Sequence, residues 1–150
     1  MSILFLTFLA ACIVAGATGS IFKPGLWYDG LVKPDWNPPK WAFPIVWTIL
    51  YLLSAIAATR VALVPGSGQA LAFWSLQIAL NTLWTPVVFG AHRLGAGVII
   101  IVALWLTLIA VAGSFFSYDL WAGLMMVPYL LWVSLATALN IWLWRNNTSD

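Results

Sequence analysis

The residues able to do acid–base or metal chemistry are few: His92, Cys12, Asp29, Asp35, Asp119 and Asp150. General acid–base work needs carboxylates or imidazoles converging in a cleft. Here the carboxylates and the histidine all fall in expected loops or at the chain end, where Asp serves solubility and turn or cap bonding. One Cys excludes an internal disulfide and any cysteine-based zinc or iron–sulfur site. One His excludes a multi-histidine metal site, and a haem axial ligand at His92 has no second His to support it. Cys12 sits in an apolar run and reads as an inert packing residue.

The remaining chemistry is aromatic and amide chemistry. The chain carries 11 Trp and 4 Tyr. Gln77, Asn81 and Trp84 recur at helical spacing and project from one face. So do Tyr129, Trp132, Ala136 and Asn140, and so do Trp47 and Tyr51. Amides inside hydrocarbon need partners, so these faces should point inward, either as bonds between helices or as anchors of a pocket. Indole and phenol rings with a few amides make a mostly apolar small-molecule site. A flat, largely apolar ring system with a few acceptors matches it; porphyrin-like tetrapyrroles and sterols are of that kind.

The elements that must hold these faces are legible from hydropathy. Charged residues are 7% of 150 and hydrophobic residues 63%, with a mean hydropathy of +1.00. An ordinary soluble domain has roughly 25% charged residues, so a soluble globular fold and a disordered chain are both excluded. Five apolar stretches, at about 3–22, 43–62, 69–90, 94–116 and 120–144, are each long enough to cross a bilayer as a helix. The expected class is an all-α membrane protein, a single domain over residues 1–150. The first stretch lacks a Lys/Arg-rich start and is longer than a usual signal-peptide core, so it reads as a span. Pro44, Pro86 and Pro128 fall within or near the ends of spans and can bend them.

The connection between the first two spans is the exception among short loops. This loop 1, from Lys23 to about Trp41, holds five of the ten charges (Lys23, Asp29, Lys33, Asp35, Lys40), four prolines and Trp27, Trp36 and Trp41. A loop of that length and aromatic content is expected to be functional. Loop 1, the third connection and the C-terminus carry Lys23, Lys33, Lys40, Arg93 and Arg145, whereas the opposite side has Arg60. The positive-inside rule then places the N-terminus outside and the C-terminus in the cytoplasm. The net charge of +2 is too small and scattered for a nucleic-acid partner. The spans lack mid-membrane charges and inverted repeats, which argues against an ion-coupled carrier.

Loop 1 and the second span read Trp27-Tyr28, Leu31, Lys33-Pro34, Trp36, Pro38-Pro39, Trp41, Phe43-Pro44, Val46-Trp47 and Leu50-Tyr51. The third span reads Gln77, Asn81, Trp84, Pro86 and Phe89-Gly90, and the fifth Pro128-Tyr129, Trp132, Ala136 and Leu139-Asn140. In this order the pattern resembles the TspO/MBR family, the translocator protein and tryptophan-rich sensory protein family also called the peripheral benzodiazepine receptor family. The short form and the stretch Gly66 to Phe73 resemble its proteobacterial members. The resemblance implies a five-helix bundle, commonly a homodimer, with a pocket open toward loop 1. It implies a porphyrin ligand such as protoporphyrin IX or haem, in sensing, sequestration, transport or regulation, with no required cofactor and membrane lipid as surroundings. Alternatives within the family are light-dependent porphyrin degradation involving Trp47 and Trp132, and transport of sterols or other small molecules. Matched by position, the ligand residues are Trp27, Trp36, Trp47, Asn81, Trp132 and Ala136; the span faces add Tyr51, Trp84 and Tyr129. The stretch Leu139 to Arg145 lacks the Tyr tied to sterol recognition in animal members, which counts against sterol. Leu76, four residues after Ala72, interrupts a small-residue dimer face on the third span. Ala10, Ala11, Ala15, Gly16 and Gly19 on the first span offer an alternative one.

Overall fold

The apolar stretches fold as helices because hydrocarbon offers the backbone no partners but its own. A computed structural model describes residues 2–147; Asp150 lies outside the described residues. Its helices are α1 (Ser2–Ile21), α2 (Gly25–Asp29), α3 (Ala42–Ala62), α4 (Gly68–Thr85), α5 (Leu94–Tyr118) and α6 (Leu120–Asn147), with a π-helical turn at Pro86–Gly90. Among the described residues, five helices are long and apolar enough to span a membrane. The third expected span is interrupted: Pro86 has no N–H to continue the α-ladder. The chain widens there, and the Ala91 N–H bonds the Pro86 carbonyl at 2.9 Å. Loop 1 is not irregular throughout, since α2 forms one helical turn within it.

α5 packs along α6 and α4, α1 packs along α3 and α4, and α3 packs along α6. The core is filled by Leu50, Leu104, Leu108, Val111, Phe115, Met126 and Val133, all buried. Cys12 is wholly buried among them, a packing position. Two indoles bond across helices: Trp74 Nε1 donates to Ser54 Oγ and Trp105 Nε1 to Ser134 Oγ, each at 2.8 Å.

Loop 1 is tied to the same end of the bundle as the α4–α5 connection and the end of α6. Asn147 clamps Val32 with its side-chain amide, accepting from the Val32 N–H at 2.8 Å and donating to the Val32 carbonyl at 3.0 Å. Trp27 stacks on His92 with ring centroids 4.3 Å apart and planes at 6°. His92 takes a left-handed backbone, φ 57°, uncommon for a residue with a Cβ.

At the opposite end, Asp119 breaks α5 from α6. Its Oδ1 accepts the Ala122 N–H at 3.1 Å, capping α6. Arg60, at the end of α3, grips the same carboxylate through Nε at 3.2 and 3.1 Å and Nη2 at 3.0 Å. Desolvation pushes the Asp119 carboxyl up, but the hydrogen bonds from Arg60 and from the Ala122 and Trp121 backbone outweigh it and hold it below the ordinary carboxylate value. A carboxylate with a depressed native pKa stabilises the fold fully above its unfolded value of about 3.9. That contribution disappears as pH falls through the native value. Asp119→Ala is expected to lower stability at pH 7 by about 1 kcal/mol, chiefly as a lost cap. The partly exposed ion pair adds little. Thermal unfolding at pH 7 and below pH 3 checks this: the wild-type advantage should shrink in acid.

Candidate functional site

α3 places Phe43, Trp47 and Tyr51 at successive four-residue steps, so their rings form one column facing the bundle interior. Trp47 and Tyr51 lie 5.4 Å apart between centroids. Trp47 meets Tyr129 of α6 edge-on at 5.8 Å, and Phe43 meets Trp132 edge-on at 5.5 Å. α4 supplies Asn81 opposite this column. Its Oδ1 accepts from the Tyr51 hydroxyl at 2.9 Å, and its Nδ2 donates to the Tyr129 hydroxyl. One amide thereby joins α3, α4 and α6.

Above this junction lies a cavity of about 480 Å³. That is within the roughly 300–1,000 Å³ of small-molecule sites. Phe43, Trp47, Tyr51, Asn81, Trp84, Phe89, Trp132 and Ala136 line it, with Ile101 and Leu104 from α5. It reaches loop 1 at Pro24, Tyr28 and Lys40, with Phe22 just before the loop. Burial raises the Tyr28 hydroxyl above its ordinary value, against lowering by the Asn37 side chain and Lys40, so it stays a neutral donor at the mouth. Among the described residues there is no His, Cys, Asp or Glu cluster able to hold a metal.

The sequence-expected residues divide into groups. Trp47, Tyr51, Asn81, Trp84, Trp132 and Ala136 come together on the cavity wall. Tyr129 is wholly buried behind Asn81 and Trp47. Trp27 lies outside this cavity, beside a small void of about 30 Å³ shared with Tyr28, Trp84 and Asn140. Trp36 and Trp41 are 46% and 69% exposed and line neither space. Asn140 acts as a link between helices, accepting from Trp84 Nε1 at 3.3 Å. Gln77 is fully buried one turn from Asn81, and neither of its amide atoms has a hydrogen-bond partner; burial is as expected for an inward face, the missing partner is not.

Several lining residues were missed. Phe43 was available from its four-residue offset to Trp47. Ala15, Gly16 and Gly19, considered above as a dimer surface, line the cavity. A Cβ on Gly16 would stand 3.3 Å from the Tyr51 ring, so the small residues leave room on the inner side of α1.

Trp132 is the lining group with unused bonding capacity: its buried Nε1–H has no partner. Trp132→Phe keeps a ring and removes this donor. The empty protein is expected to be as stable or slightly more so, because a buried orphan is lost. The Nε1 atom has no accessible surface toward the cavity, so affinity for a ring ligand should change by less than about threefold. Parallel thermal unfolding and ligand titration check this: a larger fall in affinity would mean that the ring turns its N–H to the ligand.

Residues 8–145 match the model of the TspO/MBR family. The chain is 53% identical to the tryptophan-rich sensory protein of Cereibacter sphaeroides, over 96% of this chain and 91% of that protein. It is 50% identical to protein CrtK of Rhodobacter capsulatus, over 98% and 94%. The translocator protein of Homo sapiens is 31% identical, over 81% and 75%. With most of every membrane-spanning helix, and the whole aromatic column of α3 and the α4 amide, inside the matched region, the chain belongs to the TspO/MBR family.

Proposed function

We propose that this protein binds a porphyrin-type tetrapyrrole between its helices and uses that binding to sense, sequester or move the ligand. The observation that carries this is the 480 Å³ cavity walled by Trp47, Trp84, Trp132, Phe43 and Phe89 with Asn81 as a polar anchor. Flat polarisable rings stack on such walls, and a few fixed donors orient them. Relatives named as a sensory protein and as a translocator protein fit both uses. Loop 1, the α4–α5 connection and the end of α6 share one end of the bundle and carry most of the Lys and Arg. The positive-inside rule assigns that end to the cytoplasm and the N-terminus to the other side. Titration of the purified protein with protoporphyrin IX should quench Trp fluorescence saturably. Quenching no greater than in protein-free micelles would remove the reading.

A second reading, light-driven porphyrin degradation, draws on Trp47 and Trp132 both facing the cavity. Illumination should then give a bilin-like product that is lost in Trp47→Phe and Trp132→Phe. Equal bleaching without protein rules it out.

A further inference from the structure

We propose that Lys40 selects ligands with an anionic edge, exchanging Asp29 for a carboxylate of the ligand as the cavity fills. The proposal rests on the reading that the cavity holds a flat ring compound, and adds which chemistry that ring must carry and where.

Among the described residues Lys40 is the one charged side chain lining the cavity, and it stands at the loop 1 mouth. The deeper polar side chains, Asn81 and Tyr51, are neutral. The site therefore has a cation at its mouth, aromatic walls and a neutral polar floor. A ring with carboxylates on one edge fits it in one sense only, acid outward, because burying a carboxylate among Trp47 and Trp132 would strip its water without supplying a counter-charge.

Lys40 is not idle in the empty protein. Its ammonium pairs with Asp29, the last residue of α2, and Asp29 does not line the cavity. The two side chains are 70% and 44% exposed, and an exposed pair of this kind is weak. Trading one carboxylate for another therefore costs little, and Asp29 is left to water. Lys33 is engaged elsewhere, 4.6 Å over the Tyr28 ring and bonded to the Asp29 and Leu31 carbonyls at 3.3 and 3.1 Å. The Lys40–Asp29 pair ties α2 to the start of α3 across loop 1. Its exchange would release that tie while the Asn147–Val32 clamp and the Trp27–His92 stack hold the loop elsewhere, so occupancy changes the charge presented on the loop surface.

The test compares protoporphyrin IX with its dimethyl ester, and pyrenebutyric acid with its methyl ester, by fluorescence titration of the full chain in one detergent. Lys40→Met should weaken both acids by the difference between the two pairs, up to about threefold, and in an Asp29→Asn background by about three- to fivefold, the full worth of an exposed ion pair, leaving both esters unchanged. Asp29→Asn should strengthen the acids by up to about threefold and not the esters. The acid effects should shrink at high salt. Equal changes in acid and ester, or no change in either, overturn the proposal. If no porphyrin saturates the wild type but pyrenebutyric acid binds with the Lys40 dependence, the porphyrin reading falls and the anionic-edge site stands. If no ring compound binds, both fall.

Discussion

Asn81→Leu is expected to destabilise the bundle by about 1–3 kcal/mol and to weaken ring-ligand binding at least as much as Trp132→Phe does. Asn81 is buried and serves two hydroxyls at once, accepting from Tyr51 and donating to Tyr129. Leu keeps the branched outline, is somewhat larger, and can do neither. A buried polar group deprived of its partner costs about 1–3 kcal/mol. Hydrogen bonds between membrane helices average nearer 0.6 kcal/mol each, which sets the lower end. The effect is local to the triad, so it should be strongly non-additive. In a Tyr51→Phe, Tyr129→Phe background, the same Asn81→Leu change should cost little. Denaturant or thermal unfolding of the four combinations measures this. An equal loss in both backgrounds would mean that Asn81 acts through packing instead. Binding suffers as well, because Asn81 and Tyr51 both line the cavity and lose their shared orientation.

Gly97→Val should destabilise by about 2–3 kcal/mol, at the upper part of the range for overpacked cores. Gly97 lies in the first turn of α5, against the π-helical turn. A Cβ there would fall 2.4 Å from Val88 Cγ2, 3.4 Å from Asn140 Oδ1 and 3.7 Å from Trp84 Nε1. Val88 is buried and β-branched, so it has no free direction to turn. Relief must come from the backbone, pushing α5 off the Pro86–Gly90 turn and stretching the Trp84–Asn140 bond. Gly113 in the same helix is the control. Nothing lies within 4 Å of its Cβ position, so Gly113→Ala should be stabilising by about 0.5–1 kcal/mol, the ordinary helix preference. Melting temperatures of opposite shift for the two variants check the argument. A similar fall in both would implicate helix-wide flexibility rather than the contact at Val88.

These contacts mark where reading the sequence stops. That Asn81 faces inward follows from its setting in a hydrocarbon-spanning helix, where an amide cannot point at lipid without cost. That Phe43, Trp47 and Tyr51 share a face follows from helical periodicity. Neither argument says that one amide bridges two tyrosines from two other helices, because that depends on the relative rotation and depth of α3, α4 and α6. The tryptophans of loop 1 show the same limit from the other side. Trp27, Trp36 and Trp41 are close in sequence to the cavity mouth, yet Trp27 is drawn away by His92 and Trp36 and Trp41 face outward. Loop residues have no periodicity to fix their direction; a partner 65 residues on decides Trp27, and no neighbouring residue pattern names it.

The small residues of α1 make the point once more. Ala15, Gly16 and Gly19 allow close helix approach wherever they face, and composition alone does not distinguish a subunit interface from a cavity wall. The fold sets the Tyr51 ring against Gly16 and puts all three residues on the cavity wall.

By itself the sequence determined the number and approximate limits of the membrane helices, the all-α class, the inward faces of α3, α4 and α6, and the family. Each rests on a property of single segments: hydrocarbon forces backbone pairing within a helix, and polar side chains choose a face. The tertiary structure alone decided the π-helical turn after α4, the wall contributed by α1, the exclusion of Trp27, Trp36 and Trp41 from the cavity, and the placing of Lys40 as its only charge among the described residues. Those depend on how five helices pack against one another, where a side chain's surroundings come from residues distant in the chain.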